Sequence, residues 1–301
     1  MSPAYAGQLA ALGAATCWSF SALAFDVAAR RLGPLVLNLI RLVLAFGFLS
    51  LLAWALRGLP LPLDATPRAW AWLAVSGLVG FVFGDFCLFR AFVAIGPRLS
   101  MLMMSLAPPL TAIIGWLLLG ETLTGRDLLG MVLTVTGIGW AVLDKKDQKD
   151  SKDGRDRRVT LAGLLFGFGG ALGQAGGLVL SKRGMGSYDA VAATQVRVLA
   201  GIAGYVLLFL AFHWWPRIRP ALRDRRALGF AAVGAFFGPC LGVSLSLYAV
   251  HRTVAGVAAS LMALTPVLLI PLVVLLRRER VGLGGVAGAL VAVAGVALLF
   301  L

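Results

Sequence analysis

Residues 105 to 125 read SLAPPLTAIIGWLLLGETLTG, an apolar run that holds two neighbouring prolines, Pro108 and Pro109, and ends beside a lone glutamate, Glu121. Proline removes a backbone donor and costs a helix interior about 3 kcal/mol. A chain that sets it among hydrocarbon side chains must therefore bend or break a helix there. Residues 263 to 283, ALTPVLLIPLVVLLRRERVGL, repeat the arrangement: Pro266 stands fourth, and Glu279 follows it at the spacing that separates Pro108 from Glu121.

Shifting the chain by 158 residues superposes the two stretches without a gap and extends the match in both directions. Gly80 meets Gly238, Gly84 meets Gly242, Ala91 meets Ala249, Met104 meets Met262, Gly130 meets Gly288 and Gly137 meets Gly295. With a shift of 156 the earlier part agrees as well: Gly7 meets Gly163, Gly13 meets Gly169 and Arg41 meets Arg197. Apolar sequence of any origin shares Leu and Val, but it does not hold glycines, a proline and a glutamate in common register. The chain reads as a duplicated unit, residues 1–143 and 160–301, joined by a charged linker over 144–159. DKKDQKDSKDGRDRR, residues 144–158, contains no apolar side chain and belongs in water.

The solvent for the rest follows from composition. Of 301 residues 60% are hydrophobic and 13% charged, against about 25% charged in soluble domains, so the chain reads as an all-α membrane protein. Runs near the roughly 20 residues that cross a bilayer as a helix fall at 8–28, 35–56, 70–93, 98–119, 127–143, 160–181, 190–213, 227–249, 254–276 and 282–301. These are ten transmembrane helices, five per repeat. An odd number of crossings leaves each unit on the far side, so its copy must insert upside down, and two inverted five-helix repeats are an architecture of secondary transporters. The prolines of the fourth spans are then expected to kink a helix beside a cavity, the one place where broken backbone is tolerated at depth.

The net charge of +14 would suggest nucleic acid in a soluble chain, but the Lys and Arg residues lie mostly in short connectors, where they set topology. No nucleic acid partner is expected. Loop charge puts the midpoint linker in the cytoplasm and both termini outside. Cys17, Cys87 and Cys240 lie in separate apolar runs without CxxC spacing, so neither a disulfide nor a metal site is expected. The opening MSPAYAGQLAALGAATCW has no basic residue before its apolar part, so the first run reads as a retained span rather than a signal peptide.

The LxPxL pattern followed by LLxGExLTGxDLLGMxLTVTGI, with its second copy around Pro266, Glu279, Gly288 and Gly295, resembles the signature closing each half of EamA-type proteins of the drug/metabolite transporter (DMT) superfamily. The second copy replaces the usual Gly before the glutamate with Arg278. The resemblance covers nearly the whole chain and implies a ten-span carrier, expected as a monomer without cofactor in a bacterial inner membrane. It further implies export of small metabolites, especially amino acids, with aromatic amino acid exporters of the YddG type as the nearest analogue. Relatives place both termini inside, against the charge reading. Glu121 and Glu279 look like family markers at span ends, anchoring a turn near Arg126 or Arg278.

Ionisable residues within spans usually face a cavity or a partner. Arg41 and Arg197, repeat equivalents closely preceded by Asn38 and Gln195, could hold a substrate carboxylate in a bidentate grip, or snorkel toward headgroups and brace loops. Asp85, in GFVFGDFCLFRAF, could meet a substrate ammonium, carry a proton, or pair with an arginine of another span. Arg90, five residues on, is offset from its face. Asp26 reads as interfacial. Softer candidates for substrate contact are Trp18 and Ser19 in the first span, Gln174 in the sixth, Met101 and Ser105 before Pro108, and Ser244, Tyr248 and His251 in the eighth; Pro108 and Pro266 are candidates for gating. Proton antiport of another metabolite or drug remains open, as does a passive channel. An intramembrane enzyme has little to stand on: HExxH is absent, and VFGD at 82–85 with Tyr188 and Asp189 gives only part of a GxGD protease pattern, in reversed order.

Overall fold

The computed structural model describes residues 3–143, 160–265, 267–268 and 283–300, and every regular element among them is helical. In the first repeat these are α1 (Pro3–Leu32), α2 (Pro34–Arg57), α3 (Pro67–Gly77), a π-helical segment π1 (Leu78–Gly84), α4 (Asp85–Met104), α5 (Ala107–Leu119) and α6 (Gly125–Leu143). The second repeat contains α7 (Leu161–Met185), α8 (Ala190–Ala211), the short α9 (Ile218–Ala221), α10 (Arg225–Ala235), π2 (Phe236–Gly242), α11 (Val243–Arg252), α12 (Ala255–Met262) and α13 (Leu283–Phe300). Among the described residues six stretches are long and apolar enough to cross a membrane: Ala4–Leu32, Pro34–Arg57, Pro67–Ala91, Leu161–Met185, Ala190–Ala211 and Arg225–Arg252; Ala107–Leu119 and Gly284–Leu298 are shorter apolar helices.

The 158-residue register recurs in the backbone. π1 and π2 occupy equivalent positions, and α3 and α10 are capped at equivalent ones. Thr66 accepts from the Ala69 N–H at 3.2 Å and Asp224 from the Ala227 N–H at 3.0 Å, each satisfying a donor that the first helical turn leaves open. Helices end at Met104 and at Met262, and a two-residue turn follows each. The fourth span is thus interrupted rather than kinked. Pro108 and Pro109 sit in the first turn of the restarted helix α5, where the missing N–H costs no hydrogen bond. Pro266 lies outside the described residues, as do Arg278, Glu279 and the midpoint linker.

A separate turn was expected between the third and fourth spans, yet α4 is helical from Asp85 to Met104. It is not straight: a Cβ on Gly167 would lie 2.8 Å from Met103 and 3.9 Å from Ala91, two residues that a straight helix would hold about 18 Å apart. The path doubles back between them.

Packing exchanges elements between the repeats. α7 runs along α3, π1 and α4, with Gly184 against Trp72, Gly177 against Gly80, Gly173 against Gly84 and Gly163 against Ile95. Rising numbers on one side meet falling numbers on the other, so the helices are antiparallel. α1 lies on α10, π2 and α11 in the same manner, with Gly7 against Ala249 and Phe25 against Gly234. One contact is transposed between these two interfaces. Ser76 donates to the Gly177 carbonyl at 2.6 Å, and Ser21 donates to the Gly234 carbonyl at 2.8 Å; Ser76 is the repeat equivalent of Gly234, and Ser21 of Gly177. α6 and α13 close on each other reciprocally. A Cβ on Gly137 would meet the Ala292 nitrogen at 2.4 Å and the Gly288 oxygen at 2.7 Å, while one on Gly295 would meet the equivalent Thr134 nitrogen at 2.5 Å and Gly130 oxygen at 2.7 Å. Residue i touching j while j's copy touches i's copy is the mark of a two-fold relation.

Candidate functional site

Arg41 is the eighth residue of α2 and Arg197 the eighth of α8; the two helices pack on each other, and α8 also packs on α3 and π1. Neither side chain snorkels: Arg41 is 8% exposed and Arg197 is 4% exposed. Arg41 Nη2 donates to Asp85 Oδ2, and its guanidinium stands 5.4 Å from the Phe25 ring. Asp85, 8% exposed, is the first residue of α4 directly after π1, so the π turn sets the rotation at which its carboxylate leaves the helix. Its repeat equivalent is Val243; the acid is present once, the arginine twice.

Arg197 lies within electrostatic reach of the same carboxylate but donates no hydrogen bond among the described residues. Its guanidinium lies 5.1 Å from the Phe81 ring, and Gly80 leaves the space beside it, since a Cβ there would stand 3.3 Å from Nη2. Asn38 Nδ2 donates to the Tyr205 hydroxyl at 2.8 Å, and Tyr205, fully buried, is also within reach of Asp85. The cluster is therefore Asn38, Arg41, Asp85, Arg197 and Tyr205, walled by Phe25 and Phe81. It can hold and orient an anion in a medium where charge is weakly screened.

The other candidates lie elsewhere. Gln195 Nε2 donates to the Pro60 carbonyl at 2.7 Å and to Ser50 Oγ at 3.2 Å, away from Arg197. Ser19 donates to the Ala15 and Thr265 carbonyls, tying α1 to the break after α12. Trp18 fills the hollow left by Gly238 and Gly242 in π2. Ser244 donates to the Cys240 carbonyl and meets Thr194 at 3.4 Å. Tyr248 takes the Arg252 guanidinium on its ring at 4.5 Å, and His251 and Gln174 are exposed. Ser105 and Pro108 are buried at the start of α5. Met101 belongs to α4, and its side chain is outside the described set, as is that of Asp26. Arg90 lies over its neighbour Phe86 at 5.2 Å. Tyr205 and Phe81 escaped the sequence reading because an aromatic ring in an apolar run carries no mark of its environment.

Among the described residues three ionic groups bind the repeats together at helix ends, the first being Arg31 with Asp224 at 2.6 Å. Glu121 Oε2 accepts from the Ala255 N–H at 2.9 Å, at the N-terminus of α12, while Oε1 meets Lys182 Nζ at 2.5 Å. For Glu121 the expected partner Arg126 is thus replaced by Lys182 and a helix terminus, both in the other repeat, while the pairing at Glu279 and Arg278 lies outside the described residues. Asp64 receives Arg57 and the Tyr188 hydroxyl, the latter at 2.8 Å, and Asp189 stands 3.7 Å from Arg57. Burial and the bond to Asp64 push the Tyr188 phenol up to about 12. A crevice of about 550 Å³ between α5 and α6, lined by Ile113, Trp116, Met131 and Val132 among others, holds none of the cluster residues. Among the described residues no three His, Cys, Asp or Glu side chains gather as a metal site requires, and the three cysteines are free.

Long apolar helices in two related sets, with a buried charged cluster at their seam, define a multi-pass membrane protein. The chain belongs to the EamA-like transporter family, whose model matches residues 5–143 and 161–301, and hence to the DMT superfamily. It is similar to a solved structure titled only "Crystal structure of protein", at 20% identity and a TM-score of 0.77, over 97% of this chain and 95% of that one. A comparison with curated proteins finds no match.

Proposed function

We propose that this protein is a secondary transporter that exports small metabolites, most readily amino acids with aromatic or other hydrophobic side chains, from the bacterial cytoplasm by alternating access. In this reading ten spans form two inverted five-helix repeats in the inner membrane, and one protomer suffices. The observation that carries it is the exchange of packing between the two repeats through antiparallel helices, with both fourth spans interrupted at the same register. Helices broken at equivalent points of related halves are where carriers of this architecture hold substrate and rock. The substrate centre is placed at Asn38, Arg41, Asp85 and Arg197, where α2 and α8 meet π1.

The test is reconstitution in liposomes with a panel of labelled amino acids, with and without a proton gradient. Saturable flux and counterflow of at least one of them support a carrier. Flux that rises linearly with concentration and shows no counterflow would make it a channel, and no flux of any of them removes the amino acid class.

A further inference from the structure

We propose that Arg197 is the anion-recognition point of the substrate centre, and that it takes a carboxylate whether or not the molecule also carries an amine. The inference rests on the carrier reading and narrows its substrate class to carboxylates. Its basis is a charge imbalance: two guanidinium groups, both more than nine-tenths buried, stand against one carboxylate, and that carboxylate already receives its hydrogen bond from Arg41. Arg197 is left as a buried cation without a hydrogen bond among the described residues, its Nε closed off from solvent. Such a group is costly to keep. A structural arginine buried this far would have its donors satisfied by carbonyls or carboxylates.

The surroundings explain why the group is tolerated and what completes it. One side is held by the Phe81 ring at 5.1 Å, and the lack of a side chain at Gly80, where a Cβ would stand 3.3 Å from Nη2, lets the guanidinium lie against π1. A carboxylate, planar and bidentate, is the anion that a guanidinium fork fits best. The Asp85 charge is already met by Arg41 at Oδ2, so it does not require a substrate ammonium. An organic acid lacking the amine should therefore bind as well as the amino acid it resembles.

Two measurements on the detergent-purified full chain test this. First, phenylalanine, phenylacetate and phenethylamine share a ring and differ in carboxylate and amine, and acetate supplies the carboxylate alone. Protection against thermal unfolding is expected from phenylalanine and phenylacetate in the wild type and not from phenethylamine. It should weaken by about tenfold or more in apparent affinity in Arg197→Lys and vanish in Arg197→Gln. Protection by phenylacetate and acetate but not by phenylalanine overturns the claim that the site accepts a carboxylate irrespective of an amine. Protection that persists in Arg197→Gln, that is strongest with phenethylamine, or that no carboxylate provides overturns the proposal. Second, Arg197→Met leaves the neutral Arg41–Asp85 pair, so the ligand-free protein should melt at the same temperature as the wild type or higher, the reverse of what a structural arginine predicts. A clear fall in melting temperature overturns it. Carboxylate protection that depends on Arg197 without liposome flux of the amino acids or of phenylacetate would sink the carrier reading and leave this one standing; flux unaffected by Arg197→Lys would do the opposite.

Discussion

Two guanidinium groups share one carboxylate, so the cluster is least tolerant of change at Asp85. Asp85→Asn leaves Arg41 and Arg197 buried with no counter-charge, and breaking a buried pair in this way costs about 3–5 kcal/mol. A thermal melt of the purified variant should show the largest fall of any single cluster substitution; a melting temperature equal to the wild type would mean that the pair contributes nothing. The repeat made both arginines visible in the sequence, but not what they meet, because Arg41 and Asp85 lie 44 positions apart. Helical geometry could have separated their amide neighbours. Asn38 and Arg41 are three apart and share a face, whereas Gln195 and Arg197 are two apart and point to opposite sides. The first pair joins the cluster and the second divides between the cluster and the Pro60 loop. A place in the first turns of each helix does not bring exposure either, since neighbouring helices cover both arginines.

At the scale of elements, the matched glycines marked the repeat, while π1 and π2 were illegible. An inserted residue changes which side chains face inward without altering composition, so only coordinates reveal it. The crossings make sharp predictions. A Cβ on Gly173 would lie 2.5 Å from the Gly84 Cα, backbone that cannot turn aside, while one on Gly176 would lie 3.5 Å from a Val79 methyl. Gly173→Ala should lose about 1–3 kcal/mol by overpacking, and Gly176→Ala should purify and melt like the wild type. Equal behaviour of the two in a melting assay would refute the crossing. The connector between α7 and α8 offers a pH test. The Tyr188 phenol, ordinarily near 10.0, is raised to about 12 in the folded protein, so the folded state favours its neutral form. That contribution is complete below the ordinary value and lost as pH rises through about 12. The melting temperature of the wild type should fall more steeply than that of Tyr188→Phe above pH 10.0, and the two curves should run parallel below it.

Over the whole molecule the decisive fact is that each repeat keeps little of its own first helix. α1 is buried on α10, π2 and α11, and α7 on α3, π1 and α4; α6 and α13 have each other as their main partner. Glu121 adds a link from the end of α5 to α7 and to the start of α12. The duplication was legible as matched glycines and a proline–glutamate pair, and an odd span count argued for inversion. The exchange of first helices was not legible, because both packings would give the same pattern of apolar faces. It has a consequence for folding. A repeat made alone exposes the glycine-lined face of its first helix and the surface meant for its partner's, and in a membrane such close-packed small-residue faces are what hold helices together. Residues 1–150 and 151–301, divided within the charged linker and expressed together, should therefore assemble and co-purify through a tag on either piece. Expressed singly, each should be degraded or fail to enter a monodisperse peak. A repeat that is stable by itself, or two that do not find each other, would show that the exchanged helices are not what joins the halves.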